Sequence, residues 1–437
     1  MSPARPRLLD PERPPPGPFR PTWWKSPLRG PWLTSMLGLV LLVAIPIVAL
    51  TGFLSNDAYD PRLGDNAVGR HLGILDFYLF PWPTHPSWLY ALNQGLHVGV
   101  GLAAVPLVLA KLWSVIPRLF LWPPARTPAQ ALERVSLVFL VGGIVFELAT
   151  GVLNVQVYYP FHFFFTDAHY YGAWVFTAAF AVHVALKLPT MRKALAARRW
   201  LAPLRESLER TGPEPPAAVA SDLIPIAPVP ATMSRRALLG TVGAGSVLLG
   251  FQGASQSIGG ALRPLGLLAP RRDGFGRGAN AFQVNRSAAA AEISGDDVGH
   301  DWRLELRALG GRRLSLSRPQ LLALPQRTHS LTIGCVEGWS TTQRWSGVPL
   351  RDLAALVGLR GQLTLDTESL EQNGLFATAS LGSEAVADER SLLALRVNGA
   401  DLSLDHGHPA RVIAPAVPGV HCTKWVAKLT FRAAQRR

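Results

Sequence analysis

Four side chains in this sequence have a chemistry unusual for where they stand: Cys335, His97, His169 and His183. Cys335 lies in TIGCVEGWSTTQRWSGVPL, residues 332–350, between a glycine and an acidic turn, in a chain with only two cysteines. A thiolate is a soft metal ligand or a nucleophile, whereas a thiol without such a role is a small buried hydrophobe. The histidines stand in long apolar runs, His97 in NQGLHVGVG and the other two in AHYYGAWVFTAAFAVHVALK. An imidazole in such a run is costly unless it faces the protein interior, and a pair of them can hold haem iron axially without a covalent attachment motif. The other reading of the pair is hydrogen bonding between helices with no cofactor.

The elements that must carry the histidines are apolar runs of about 20 residues, long enough to cross a bilayer. They fall at roughly 32–54, 87–110, 135–155 and 169–188. Arg5, Arg7, Arg13, Arg20, Lys25 and Arg29 precede the first run, and Lys111, Arg118, Arg126 and Arg134 join the second to the third. The remaining connections hold Asp57, Asp60, Asp65, Asp76 and Asp167 against Arg62 and Arg70, so the N-terminus and the even-numbered loops are expected in the cytoplasm. Trp23, Trp24, Trp32, Trp82 and Trp88 fall at the expected interfaces.

His169 and His183 are fourteen positions apart, about four helical turns, which puts both on one side of a helix roughly 21 Å apart. Counted from Pro86, a residue suited to a first helical position, His97 is about 18 Å from the outer end of its helix and His183 about 21 Å from the outer end of its own. Depth therefore pairs His97 with His183. Gly95, Gly99, Gly101 and Gly172 would leave room for a flat macrocycle. These segments resemble the four-helix membrane cytochrome b family, which implies haem b. One haem is expected; a second, at the outer level, requires His169 to pair with His85, His71 or His162. Glu147, midway along the third run, is either a proton or quinone-site group or a buried partner of a polar side chain.

A basic stretch with Arg192, Lys193, Arg198 and Arg199 follows, then a Pro- and Ala-rich linker, roughly 211–232. SRRALLGTVGAGSVLLGF, residues 234–251, sets twin arginines before an apolar run of about 16 residues, short for a spanning helix. It resembles a twin-arginine export signal inside the chain, which implies a C-terminal domain folded around a cofactor before crossing the membrane. A plain fifth helix with a basic start is the alternative, and both put that domain outside.

From about 300 onward, WRLELRAL, HSLTIGC, LLALRVNG, ARVIAP and WVAKLTF read as strands between Gly, Pro, Asn and Asp turns. SRPQLLAL and PLRDLAALVG read as short helices opened by Ser or Pro. The blocks CVEGWS, WSGVPLRDL, GHPAR and PGVHCTKWV resemble, in order, the molybdopterin-binding domain of the sulfite oxidase family over roughly residues 282–433. The similarity extends to the bacterial branch that includes the periplasmic methionine sulfoxide reductase catalytic subunit, whose partner is a haem-containing membrane protein. The resemblance implies that Cys335 is the thiolate ligand of molybdenum, alongside the pterin dithiolene. It further implies cofactor contacts from Asn285, Arg286, Thr378, His406, Arg411, Cys422, Thr423 and Lys424, with the cations and backbone donors suited to the phosphate end. His406 departs from the family pattern, where relatives carry asparagine, and Cys422 is expected to act through its backbone.

The expected organisation is thus multidomain. An all-α transmembrane four-helix bundle (32–190) follows a basic cytoplasmic N-terminus (1–31). A cytoplasmic linker (191–233), an export or anchor segment (234–253) and a second linker (254–281) lead to a mixed α+β, strand-rich molybdopterin domain (282–437). The net charge of +14 comes from arginines at the ends of apolar runs, so it points to membrane lipid and not to nucleic acid. The expected activity couples S- or N-oxide reduction at an extracytoplasmic molybdenum to haem b and the quinone pool, the substrate being a small molecule or a protein. Sulfite oxidation is the enzyme alternative, and a cofactor-free membrane receptor or scaffold is the alternative of another class.

Overall fold

A computed structural model of the chain describes residues 13–63, 66, 74–75, 78–125, 127–215, 222–270, 278–372, 374 and 377–434. Arg5, Arg7, Asp65, Arg70, His71, Asp76, Arg126 and linker positions 216–221 lie outside the described residues.

Among the described residues, five helices are long and apolar enough to cross a membrane: α1 (Pro31–Ala58), α2 (Leu89–Val115), α3 (Pro128–Val155), α4 (Phe165–Ala197) and α5 (Arg235–Ile258). Their ends are set by caps and turns, so they do not coincide with the ends of the apolar runs. Thr127 Oγ1 accepts the Gln130 N–H at 3.2 Å and Pro128 takes the first helical position, so α3 starts well before residue 135. Helix α5 corrects the expectation of a short segment. Ser234 Oγ accepts the Ala237 N–H at 3.2 Å, and the helix continues through polar residues to Ile258 for 24 residues in all.

The chain forms two compact units. One gathers Met1–Ala49, Val100–Gly151 and Tyr171–Gly250, around an apolar centre of Leu41, Ile45, Val108, Ile144 and Phe176. Here the start of α1 is capped from far along the chain. Glu214 accepts the Trp32 and Leu33 N–H groups at 2.9 and 3.3 Å, a favourable place for a negative charge at a helix N-terminus. Only glycine fits beside it, because a Cβ on Gly30 would lie 2.3 Å from the Glu214 carboxyl carbon. Arg235 is fully buried and donates to Glu206 Oε2 at 2.9 Å and to the carbonyls of Pro27 and Gly212 at 2.9 and 2.7 Å. Arg236 is exposed.

The other unit gathers Leu50–Gly99, Val152–Tyr170 and Phe251–Arg437. Its strand-rich part has two five-stranded sheets. One runs β2 (Arg313–Ser317), β1 (Arg303–Ala308), β10 (Val426–Ala433), β5 (Leu363–Ser369) and β6 (Thr378–Leu381), with β1 and β10 parallel. In the other, β3 (Arg327–Gly334), β4 (Ser340–Pro349) and β7 (Leu392–Val397) lie side by side, and both β8 (Ala400–Asp401) and β9 (Arg411–Ile413) pair with β7. The inward residues of the two sheets, among them Leu304, Leu306, Leu331, Trp345, Leu393 and Phe431, share one apolar core. Helices α6 (Arg318–Ala323), opened by a Ser317–Gln320 capping box, and α7 (Leu350–Leu356), which follows Pro349, lie where Ser and Pro announce them; α8 (Ser383–Ala387) follows β6. At the bulge between Ser346 and Gly347, a Cβ on Gly347 would lie 2.0 Å from the Leu393 carbonyl oxygen, which reserves that position for glycine.

The twin arginines therefore have separate structural weight. Arg235→Lys leaves buried acceptors without donors and is expected to cost about 1–3 kcal/mol. Arg236→Lys is expected to stay within about 0.5 kcal/mol of the parent. Thermal unfolding of the full-length chain measures both.

Candidate functional site

Strand β3 ends at Gly334, and the chain turns through Cys335–Trp339 into β4. The Cys335 N–H donates to the Trp339 carbonyl and the Gly338 N–H donates to the Cys335 carbonyl, both at 2.9 Å. Gly338 has φ +93°, a conformation that favours glycine. Trp339 Nε1 donates to Glu337 Oε2 at 2.9 Å. Cys335 is partly exposed and Cys422 is buried, and neither is in a disulfide. The Cys335 side of the turn opens on a narrow cavity that Gln283, Asn285, Thr341, His406 and Arg411 also line.

Arg411 begins β9 and is buried. Its Nη1 and Nη2 donate to the carbonyls of His406 and Cys422 at 3.2 and 3.1 Å, and its guanidinium lies 5.1 Å from the Trp345 ring centre. Burial lowers its pKa to about 10, so the group is charged at neutral pH. Among the described residues no carboxylate pairs with it. An isolated buried cation is expensive, and an anionic ligand would relieve that cost. His406 Nε2 donates to the Asn280 carbonyl at 2.9 Å, and the ring stacks on Phe282 with ring centres 3.7 Å apart. Burial, and after it the Arg411 charge, depresses its pKa to about 3. Lys424 Nζ donates to the carbonyls of Arg286 and Asp405, and Arg286 forms a 2.6 Å ion pair with Glu371.

The histidines of the apolar helices divide between the two units. His97 and His169 belong to the same unit, with ring centres 6.2 Å apart and planes at 86°. A Cβ on Gly52 would lie 2.9 Å from His97 Cε1, so that glycine makes room for the ring. His183 belongs to the other unit, where it shares an apolar cavity of about 240 Å³ with Lys111, Glu133 and Phe176. Within their unit the imidazole beside His97 is His169, the histidine that the sequence assigned to a second haem. Both helix starts differ from those used in the depth count. Helix α2 begins at Leu89, three residues later than counted, and α4 at Phe165, four earlier, which brings His169 towards the level of His97. Of the glycines expected to accommodate a macrocycle, two face side chains. Gly95 faces Ser257 and Gly172 faces Glu147, whereas Gly101 has nothing within 4 Å.

Residues 291–437 match the family described as oxidoreductase molybdopterin binding domain. Mouse mitochondrial sulfite oxidase is 31% identical over 161 residues, covering 31% of this chain and 30% of its own. An uncharacterized oxidoreductase of Bacillus subtilis is 29% identical over 131 residues, covering 30% of this chain and 65% of its own. The crystal structure of the sulfane dehydrogenase SoxCD from Paracoccus pantotrophus aligns at 26% identity over 31% of this chain and 39% of its own, with a TM-score of 0.28. The chain spans less than a third of the length of the sulfite oxidases it matches. Over residues 291–437 the chain is thus similar to molybdopterin-binding oxidoreductase domains.

The residues present fit that cofactor. Gln283 and Arg411 line the cavity, and both Gln283 amide atoms, Arg411 Nε and the neighbouring Thr423 Oγ1 are buried without a partner, although buried polar atoms are ordinarily satisfied. A polar, anionic heterocycle would satisfy such a set. Of the residues named by resemblance, the cavity brings together Cys335, Asn285, His406 and Arg411, with the Cys422 carbonyl on Arg411 behind them. Thr423 is buried, and Lys424 with Arg286 braces the neighbouring loop. Thr378 is exposed, opposite Glu368 in the other sheet, and does not line the cavity. Sequence reasoning missed Gln283, Thr341 and Trp345. Gln283, two positions before Asn285, offered a hint; the other two reach the site only through the register of β4.

Acid stability follows from two imidazoles. His406 and fully buried His421 are both held near pKa 3, against 6.5 for an ordinary histidine. Their depressed values mean the unfolded chain binds more protons below pH 6.5, so stability is fully present above that pH and is lost as pH falls towards 3. The loss should be on the order of a few kcal/mol. His421→Gln should flatten the fall between pH 6.5 and 4 in urea unfolding curves; an unchanged slope contradicts the assignment.

Proposed function

We propose that the chain is a membrane-bound molybdopterin-dependent oxidoreductase that exchanges electrons between an extracytoplasmic molybdenum site, haem b in the helices and the quinone pool. The observation that carries this reading is Cys335, on a rigid turn beside a buried, carboxylate-free Arg411. Bound molybdenum would supply oxygen-atom transfer and two-electron chemistry with Cys335 as its thiolate ligand. Arg411, Gln283 and Thr423 would hold the pterin and its phosphate, and the neutral His406 would pack against it.

Reduction of an S- or N-oxide is the favoured direction. The oxide takes up two electrons and two protons to give the reduced compound and water, and a quinol supplies both as it becomes quinone. A site for the sulfite anion would gather cations, but Arg344, the other arginine near Cys335 in sequence, is exposed and does not line the cavity. Sulfite oxidation is the second reading, favoured by the names of the matched relatives.

The haem assignment rests on the His97–His169 separation. His97 and His169, with ring centres 6.2 Å apart, would hold the iron, and the bound haem would supply one-electron transfer. The cavity at His183 and Lys111 suits a flat apolar quinone with two hydrogen-bond-accepting carbonyls. The arginine distribution puts the N-terminus in the cytoplasm. Export through the twin-arginine route is tested best at exposed Arg236, because changing Arg235 also disturbs the fold.

Purified full-length protein given quinol with a panel of S-oxides and N-oxides, and quinone with sulfite, decides direction and substrate class. Reduction of none of the oxides, with sulfite-dependent quinone reduction, selects the second reading; no turnover in either direction contradicts both. His97→Ala and His169→Ala should each abolish the same b-type absorption. His183→Ala should keep it while quinol-driven turnover falls about tenfold or more. Haem lost from His183→Ala and retained in His169→Ala would restore the pairing read from depth.

A further inference from the structure

The turn that carries Cys335 is not supported by its own sheet alone. Within its compact unit it sits on one stripe of α2, made by Ala91, Gln94 and Val98, whose spacing of three and four places them on one helix face. The Val336 carbonyl, next to the cysteine, accepts from Gln94 Nε2 at 2.8 Å and more weakly from Asn154 Nδ2 at 3.4 Å. On either side of it the chain can approach only as glycine. A Cβ on Gly334 would lie 3.0 Å from Ala91 Cα, and one on Gly338 would lie 2.8 Å from a Val98 methyl.

Gln94 is itself fixed. It is buried, and its Oε1 accepts from Ser55 Oγ at 2.9 Å, which leaves its NH₂ group aimed at Val336. Ser55 Oγ stands 3.4 Å from the Tyr90 hydroxyl, so a short polar chain on α1 and α2 ends on the Val336–Glu337 peptide. Such a series does more than dock a loop. An amide anchored at its oxygen fixes the direction of its N–H donor, and so the position of the carbonyl that donor holds.

We propose that Gln94 is a positioning residue for the molybdenum ligand: held by Ser55, it fixes the Val336 carbonyl and thereby where the Cys335 sulfur sits. The helix that carries His97 thus also sets the geometry of the metal site. The inference rests on the reading of Cys335 as the ligand, but it concerns the turn itself, and metal-free protein reports on it.

Gln94→Glu tests it with little change of shape. A carboxylate still accepts from Ser55 but cannot donate to Val336. Ser55→Ala is the second variant, removing the anchor and keeping the donor. In metal-free full-length chain, Cys335 alkylation by a maleimide and amide hydrogen exchange over 335–338 should rise roughly tenfold in Gln94→Glu, and in the same sense in Ser55→Ala. Buried Cys422 serves as the internal control, and exchange elsewhere in the strand-rich domain should be unchanged. In cofactor-loaded enzyme kcat should fall about tenfold with little change in KM. Parent-like labelling and exchange in both variants overturn the proposal, and so does a rise spread evenly over the domain, which would make Gln94 merely structural. If the parent chain binds no molybdenum through Cys335, the underlying reading fails, while the labelling result still decides whether Gln94 holds the turn.

Discussion

Two backbone hydrogen bonds close the Cys335–Trp339 turn, and the rest of the site is arranged around them. With the cysteine N–H given to Trp339 and its carbonyl taken by Gly338, the main chain of Cys335 is satisfied within the turn. A metal ligand has to be held in place before the metal arrives, because ordering it afterwards would subtract from binding. The β3–β4 ladder, in register from Arg327–Gly347 to Gly334–Ser340, fixes both ends of the turn, and apolar residues behind it leave the turn little freedom to move.

Charge completes what the turn begins. The cavity beside Cys335 contains a guanidinium held by carbonyls and a tryptophan face, not by a carboxylate. It also contains a histidine that burial keeps neutral. A protein built only for stability would have paired or replaced that arginine. Retaining it with its Nε unsatisfied reserves the charge for an anion that is itself largely buried. A pterin phosphate meets that requirement, and sulfite alone would leave the amide of Gln283 unexplained.

Much of this was legible in the sequence, and the failures have identifiable causes. The blocks around Cys335 and Arg411 carried the domain, because a ligand turn and a buried cation each constrain several consecutive residues. Strands β1, β3, β7, β9 and β10 were visible in their alternation or β-branched runs. Strand β4 was not, since STTQRWSGVP mixes polar residues with a glycine bulge, and with it went Thr341 and Trp345. In the helices, apolar runs marked existence but not ends. A difference of a few residues at each helix start changes the depths from which His97 was paired. Helix α5 was shortened for the same reason, its polar last turns being hidden from hydropathy. The seat of the Cys335 turn on Ala91, Gln94 and Val98 had no local signal at all, because it joins residues more than 230 positions apart.

The central claim is that Cys335 supplies a sulfur to molybdenum. X-ray absorption at the molybdenum edge, measured on cofactor-loaded full-length protein and on Cys335→Ser with its pterin content checked, tests it most directly. The account predicts one sulfur neighbour fewer in the variant, with pterin retained, since Arg411, Gln283 and Thr423 are untouched. An identical sulfur shell in the two proteins would contradict it.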